Sequence, residues 1–303
     1  MAGCVKTTQS YGESGKLMEL KSTQDSSVNF VEENLKGFIE SRYVRREEEY
    51  FNCYLSSQSG CNKACKMCHL TATGQTSFND EDSGGYLSQA IKVFQEYEKS
   101  GKIAKNVHFS FMARGEALAN KYLLEDADSI LWNLGNLAKD YNLNPKFNIS
   151  TIMPVSLHHA RLVDIFRTIT PTIYYSLYST NKDFRKKWLP AAMDVDKALD
   201  LLKEYQDVSK KIVKIHYAII RDENDTILNS VDIDMAMKDR RMLYEVNLVR
   251  YNPYSSEQGK EASDETYEQI QRFYWDQNVK CNIIKRVGMD VKASCGMFVD
   301  KEK

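Results

Sequence analysis

The chain has 303 residues, 41 basic side chains against 42 acidic, 42% hydrophobic residues and seven cysteines. This length can bury a substantial core, and a charged fraction of 27% beside a normal apolar share excludes wholesale disorder. No apolar run is long enough for a transmembrane helix and no apolar h-region opens the sequence. A cytoplasmic, reducing setting is therefore expected, in which cysteines serve metals or catalysis more often than structural disulfides.

In chain order, residues 1–29 are polar and read as a mobile leader. Residues 28–39 show helical apolar spacing through Phe30, Val31, Leu35 and Phe38. Two short strands at 38–44 and 49–55 follow, joined by the charged turn Arg45-Arg46-Glu47-Glu48, so 30–50 reads as a helix and hairpin extension. From residue 51 to 303, β-branched or aromatic runs alternate with helical stretches. The runs are 107–112, 147–152, 172–178, 212–220 and 244–251; the helices are 86–99, 123–139, 157–166, 193–205 and 227–238. A helix at 265–276 and a strand at 281–286 end the pattern. Alternation of this kind builds right-handed βαβ units and a parallel sheet. With the strand before Cys61 there are about six repeats, short of the eight that close a full barrel, so an α/β fold with an open, partial (β/α)6 barrel is expected. Chemistry in such folds sits at the carboxyl ends of strands. Cys61–Cys68, Gly115-Glu116, Ser150, Ser176 and Asn252 fall at those places.

Cys61, Cys65 and Cys68 form C-x3-C-x2-C. Three thiolates this close can wrap one 4Fe–4S cluster and leave one iron open. A structural zinc site would want a fourth ligand, and His69 lies directly beside Cys68. Cys65-Lys66-Met67-Cys68-His69 also matches the C-x-x-C-H haem attachment pattern, which would leave Cys61 unused.

The cysteine spacing, in a loop after the first strand of a partial barrel, resembles the radical S-adenosylmethionine (SAM) superfamily. The lead-in Leu55-Ser56-Ser57-Gln58-Ser59-Gly60-Cys61 is similar to that of the radical-SAM adenine C2-methyltransferases, the RlmN/Cfr group. Met112-Ala113-Arg114-Gly115-Glu116-Ala117-Leu118-Ala119-Asn120, Ile149-Ser150-Thr151, Ser176-Leu177-Tyr178, Asn252-Pro253-Tyr254 and Ala293-Ser294-Cys295-Gly296 resemble further landmarks of that group, in its order.

The resemblance covers about residue 38 onward and implies a radical-SAM core with a 4Fe–4S cluster on Cys61, Cys65 and Cys68. It implies SAM held by Gly115, Glu116, Ser150, Ser176, Leu177, Tyr178 and Asn252, with Tyr178 standing where the group has His. Cys295 would carry the methyl group, Cys53 would be the thiol that resolves the protein–RNA adduct through a disulfide, and Glu40 would accept a proton. Cys53 stands one residue further from Ser56 than the group's pattern has it, and Tyr54 takes the strict position. Cys4 and Cys281 read as bystanders. The expected activity is methylation of adenine C2 in 23S rRNA or tRNA by a cytoplasmic monomer, with an electron donor such as flavodoxin and no membrane contact. Another radical-SAM reaction on a peptide, nucleotide or small molecule, or a cluster-bearing electron-transfer or regulatory role, are the rival readings. By the same resemblance, the group's N-terminal RNA-engaging domain is expected to be reduced or absent. The basic clusters Arg185-Lys186-Lys187, Lys210-Lys211 and Lys238-Asp239-Arg240-Arg241 are thin for an RNA surface.

Overall fold

The computed structural model describes residues 5–9, 16–157 and 159–300; Cys4 lies outside them. Eleven strands form one sheet in chain order. β1 (Val5–Gln9), β2 (Leu17–Lys21), β3 (Val28–Asn34), β4 (Gly37–Val44) and β5 (Tyr50–Tyr54) make an antiparallel meander. From β5 onward every pairing is parallel, through β6 (Asn106–Phe111), β7 (Asn144–Thr151), β8 (Thr172–Tyr175), β9 (Val213–Ala218), β10 (Tyr244–Val249) and β11 (Cys281–Ile284).

The helices are α1 (His69–Ala72), α2 (Ser83–Lys99), α3 (Lys121–Asp140), α4 (Leu162–Ile165), α5 (Lys182–Trp188), α6 (Val195–Ser209), α7 (Ile227–Asp239) and α8 (Asp264–Asp276). Local chemistry sets where they start. Asp82 caps α2 by accepting from Gly85 N–H, Asn120 caps α3 through Leu123 N–H, and Asn181 caps α5 through Phe184 N–H. α2 buries Tyr86, Ala90, Val93 and Phe94, and each large apolar side chain removed from water contributes about 1.5–3 kcal/mol. The expected helix at 157–166 is a 3-10 turn, Val155–Leu157, and the single turn α4. Among the described residues no helix is long and apolar enough to cross a membrane.

The N-terminal expectations need correcting. Residues 28–39 form a hairpin, not a helix: β3 and β4 pair from Val28↔Tyr43 to Asn34↔Gly37. Gly37 has φ +116°, a conformation that favours glycine, and a Cβ there would meet Ser59 O at 2.5 Å. Leu35, read as part of an apolar stripe, is exposed at the hairpin tip. β4 is buried on nearly every residue because Val291 and Ala293 pack with Phe38 and Val31 on one face and α2 lies against the strand on the other. The two-residue alternation that marks a half-buried strand is therefore hidden. The leader 1–29 likewise contains β1 and β2, with Leu20 buried in that same small cluster.

Candidate active site

The carboxyl ends of β5 to β8 open on a cavity of about 150 Å³. Cys61, Cys65 and Cys68 line it together with Gly115, Glu116, Ser150, Ser176 and Tyr178. Burial pushes the Cys61 thiol up to about 12, with neighbouring Cys68 adding to it, and burial likewise holds the Cys65 thiol well above its ordinary value. Thiols in this setting ionise when a metal supplies the compensating charge, so the donor set suits a metal centre. Among the described residues no three His, Cys, Asp or Glu side chains converge on a single ion. A cube takes each thiolate on a separate iron, so its ligands stand apart. His69 does not line this cavity; its Nε2 donates to Asn252 O at 3.0 Å, and its backbone N–H donates to Gly296 O at 3.1 Å.

The lead-in to Cys61 shapes this cavity mechanically. Ser56 Oγ donates to Glu40 O at 2.6 Å and accepts from Arg114 N–H at 3.1 Å, tying β4 to the loop after β6. Gln58 Oε1 accepts from Glu116 N–H at 3.1 Å, while its Nε2 donates to Asp80 at 2.7 Å. Gly60 lies so close to the 75–77 backbone that a Cβ would meet Ser77 O at 2.3 Å. Gly115 has φ +91°, and a Cβ there would meet Gln58 N at 2.8 Å. Gly115→Ala is therefore expected to cost about 1–3 kcal/mol and to displace Glu116. An unchanged denaturation midpoint would contradict this.

Glu116 is buried. Its two oxygens accept from Leu118 N–H at 3.2 Å and Ile152 N–H at 3.1 Å, yet burial raises its carboxyl above the usual value. A cation in the cavity would be its natural partner. Ser150 Oγ and Ser176 Oγ are 3.5 Å apart on the neighbouring wall. Tyr178 has φ 61°, and its carbonyl is held by Asn224 Nδ2 at 3.2 Å and Asn229 Nδ2 at 3.1 Å. Leu177 and Asn252 do not line the cavity. Leu177 is core, with its carbonyl accepting from Arg185 at 2.8 Å. Asn252 instead fixes the next segment: its Nδ2 donates to Cys295 O at 2.9 Å and reaches Ser294 Oγ at 3.3 Å.

Cys295 is exposed on a second, smaller chamber of about 70 Å³. Met112 lines both spaces, and Gly296, next to Cys295, lines the larger. The methyl-carrier candidate thus stands beside the cysteine cavity. Its segment is anchored by Arg42, whose Nη2 donates to Met297 O at 2.7 Å.

Two expected catalytic residues lie elsewhere. Cys53 is fully buried in the main apolar core and lines neither cavity. β5 pairs without a bulge, Cys53 with Tyr43 and Phe109, and Tyr54 with Arg42 and Ser110. Neighbouring strand residues face opposite ways, so Tyr54 faces the chamber where Cys53 was expected. All described cysteines are free. Besides Cys295 and the three cavity cysteines, no described thiol lines either space. Cys53→Ala is expected to lower stability by about 1–2 kcal/mol through lost packing and to leave the Cys295 chemistry intact. A covalent RNA adduct stalled on Cys295 in that variant would contradict it.

Glu40 is also fully buried and lines neither space. Its carboxylate accepts from Arg42 Nη2 at 2.7 Å, Arg114 Nε at 2.8 Å, Asn29 Nδ2 at 2.9 Å and Val299 N–H at 2.9 Å. Burial raises its pKa, but the Arg114 and Arg42 charges outweigh this and hold the carboxyl below its usual value. With its lone pairs filled and two guanidinium partners, it is an anchor for the C-terminal segment, not a proton acceptor. Sequence patterns did not single out Arg42, and they named Arg114, Gln58 and Tyr54 without assigning them a role.

No protein-family model matches the chain. It is 28% identical over 265 residues to the dual-specificity RNA methyltransferase RlmN of Nautilia profundicola, spanning 85% of this chain and 70% of that protein. It is 27% identical over 296 residues to the ribosomal RNA large subunit methyltransferase Cfr of Staphylococcus aureus, spanning 93% and 78%. A crystal structure of a radical SAM methyltransferase from Sphaerobacter thermophilus shares the fold, with TM-score 0.78 and 17% identity over 96% of this chain and 80% of that one.

Proposed function

We propose that this chain, an RlmN/Cfr-like radical-SAM methyltransferase, methylates C2 of an adenine in RNA, in 23S rRNA or tRNA, by way of Cys295. The observation that carries the reading is the placement of Cys295 next to a cavity where Cys61, Cys65 and Cys68 meet Gly115 and Glu116. A 4Fe–4S cluster and SAM, when bound, supply the methyl group and the radical that activates it.

The chain's own residues bind, orient and shield. Cys61, Cys65 and Cys68 hold the cluster. Glu116 takes the SAM ammonium and Ser150 and Ser176 its hydroxyl or carboxylate groups, while Tyr178 closes the wall. Cys295 Sγ accepts the methyl by displacement, then presents it to the base; the Sγ–carbon bond of the resulting adduct is cut by a thiol from solution, which attacks Sγ and forms a mixed disulfide with Cys295 as the methylated base leaves. Asn252 and His69 keep that thiol in place through the Cys295 carbonyl and the Gly296 carbonyl. C2 of adenine is electron-poor, so polar methyl transfer fails and radical addition is the workable route. We place the enzyme in the cytoplasm as a monomer served by an electron donor of the flavodoxin kind.

Glu116→Gln removes a charge-assisted contact worth about 1.5–3 kcal/mol, so SAM affinity should fall at least about tenfold. Isothermal titration of the reconstituted protein checks this, and an unchanged affinity would take Glu116 out of the SAM site. The reading as a whole is tested by nucleoside mass spectrometry of RNA from cells expressing the chain. Appearance of 2-methyladenosine is expected. Its absence, together with an unmethylated Cys295, would sink the proposal.

A further inference from the structure

The chamber that holds Cys295 has a composition unlike the rest of the molecule. Its charged walls are Arg42, Arg46, Arg250, Lys285 and Arg286, and no Asp or Glu lines it. The chain as a whole carries a net charge of −1, so this concentration is local. Arg42, Arg250 and Arg286 are partly neutralised from behind by Glu40, by Asp264 and by Glu261. Arg46 and Lys285 have no carboxylate partner among the described residues. Arg46 donates to Tyr54 Oη at 3.1 Å and reaches Lys285 O at 3.4 Å, and the adjacent Glu47 and Glu48 do not pair with it.

Three buried nitrogens of the lining residues also lack any partner: Arg42 Nε, Arg286 Nε and His216 Nδ1. Unpaired buried polar groups are costly, and these three belong to residues that line one small space. Its roughly 70 Å³ amounts to the room of a few waters, too little for a nucleoside.

We propose that this chamber is an anion subsite that takes a phosphate of the RNA substrate and so seats the target nucleotide against Cys295. The inference rests on the RNA-methylation reading above and deepens it. It accounts for how a chain with few basic surface clusters holds RNA: the cations are grouped around the methyl carrier. Phosphate contacts of this kind position a nucleic acid without reading its sequence.

The test is fluorescence anisotropy of a labelled RNA hairpin binding to the full chain over a range of salt concentrations. Arg46→Gln and Lys285→Gln should each weaken binding about three- to tenfold at low salt. Each should also reduce the salt slope by roughly 0.7–0.9. Lys186→Gln, on the outer helix α5, should bind as the parent chain does. Unchanged affinity and slope in both chamber variants, with melting curves confirming their fold, would overturn the inference, as would a parent chain that binds no RNA. Mass spectrometry of Cys295 after incubation with methyl-labelled SAM separates the two claims. A labelled Cys295 with normal RNA binding by the variants fails only the phosphate subsite, whereas an unlabelled Cys295 fails the underlying reading.

Discussion

Glu40→Ala is expected to cost about 3–5 kcal/mol of stability. Glu40 is fully buried and is the one carboxylate in contact with both Arg42 and Arg114, whose side chains are 4% and 0% exposed. Removing it leaves two guanidinium groups buried without a counter-charge. It also frees Val299 N–H and leaves Asn29 Nδ2 with only its bond to the Val291 carbonyl, so the segment carrying Cys295 loses its clamp. Arg114 additionally donates to Gln75 Oε1 at 2.7 Å and to the Val299 carbonyl, so its release reaches the cysteine loop as well. Denaturant titration reads the loss directly, and a midpoint shift worth less than about 1 kcal/mol would contradict this account.

The same group predicts an acid limit. Its folded pKa lies below the ordinary carboxyl value. The unfolded chain therefore takes up the proton first as pH falls. The stabilisation is present in full above the unfolded value of about 4.3 and is lost as pH drops through the folded one. Stability measured from pH 7 downward should fall in that acid window in the parent chain, and less steeply in Glu40→Ala.

Cys295→Ala is expected to abolish RNA methylation while leaving the fold intact. The side chain is exposed, so its truncation removes little packing, and substitutions of that kind usually stay within about 0.5 kcal/mol. Its neighbours are held through backbone atoms, since Asn252 bonds the Cys295 carbonyl and His69 the Gly296 carbonyl. The variant should therefore still bind SAM and RNA. Loss of product with unchanged melting and ligand binding is the expected pattern. Full turnover by Cys295→Ala would show that the methyl group travels by another route.

Much of this was legible in the sequence because it is local. The parallel strands β5 to β10 follow from short β-branched and aromatic runs, and Cys61, Cys65 and Cys68 fall in the candidate metal loop just after the first of them. The comparisons support the RlmN/Cfr likeness read from ordered motifs. What was not legible depends on contacts far apart in the chain. The role of Glu40 is set by Arg114, 74 positions away, and Val299, 259 positions away. Nothing around Glu40 in the sequence separates an anchor from a proton acceptor. β3 read as part of a helix because its first four residues are all buried, which removes the alternating pattern, whereas β4 was expected as the strand at 38–44. Cys53 turned on strand register: only the unbroken pairing of β5 with β4 and β6 puts Tyr54, rather than Cys53, on the chamber side. The cations around Cys295 come one or two at a time from β4, the turn after it and the residues just past β10 and β11, so a search for basic runs passes over them.

In the proposed reaction Cys295 carries the methyl group that ends on adenine. Reconstituted protein incubated with RNA, reductant and SAM bearing a trideuterated methyl should be followed by mass spectrometry of both partners. Label is expected on the Cys295 peptide and, in the RNA, on 2-methyladenosine that retains two of the three deuterons, because one is removed when the carried methyl is activated. An RNA product bearing all three deuterons, or label in RNA with none ever on Cys295, would contradict it.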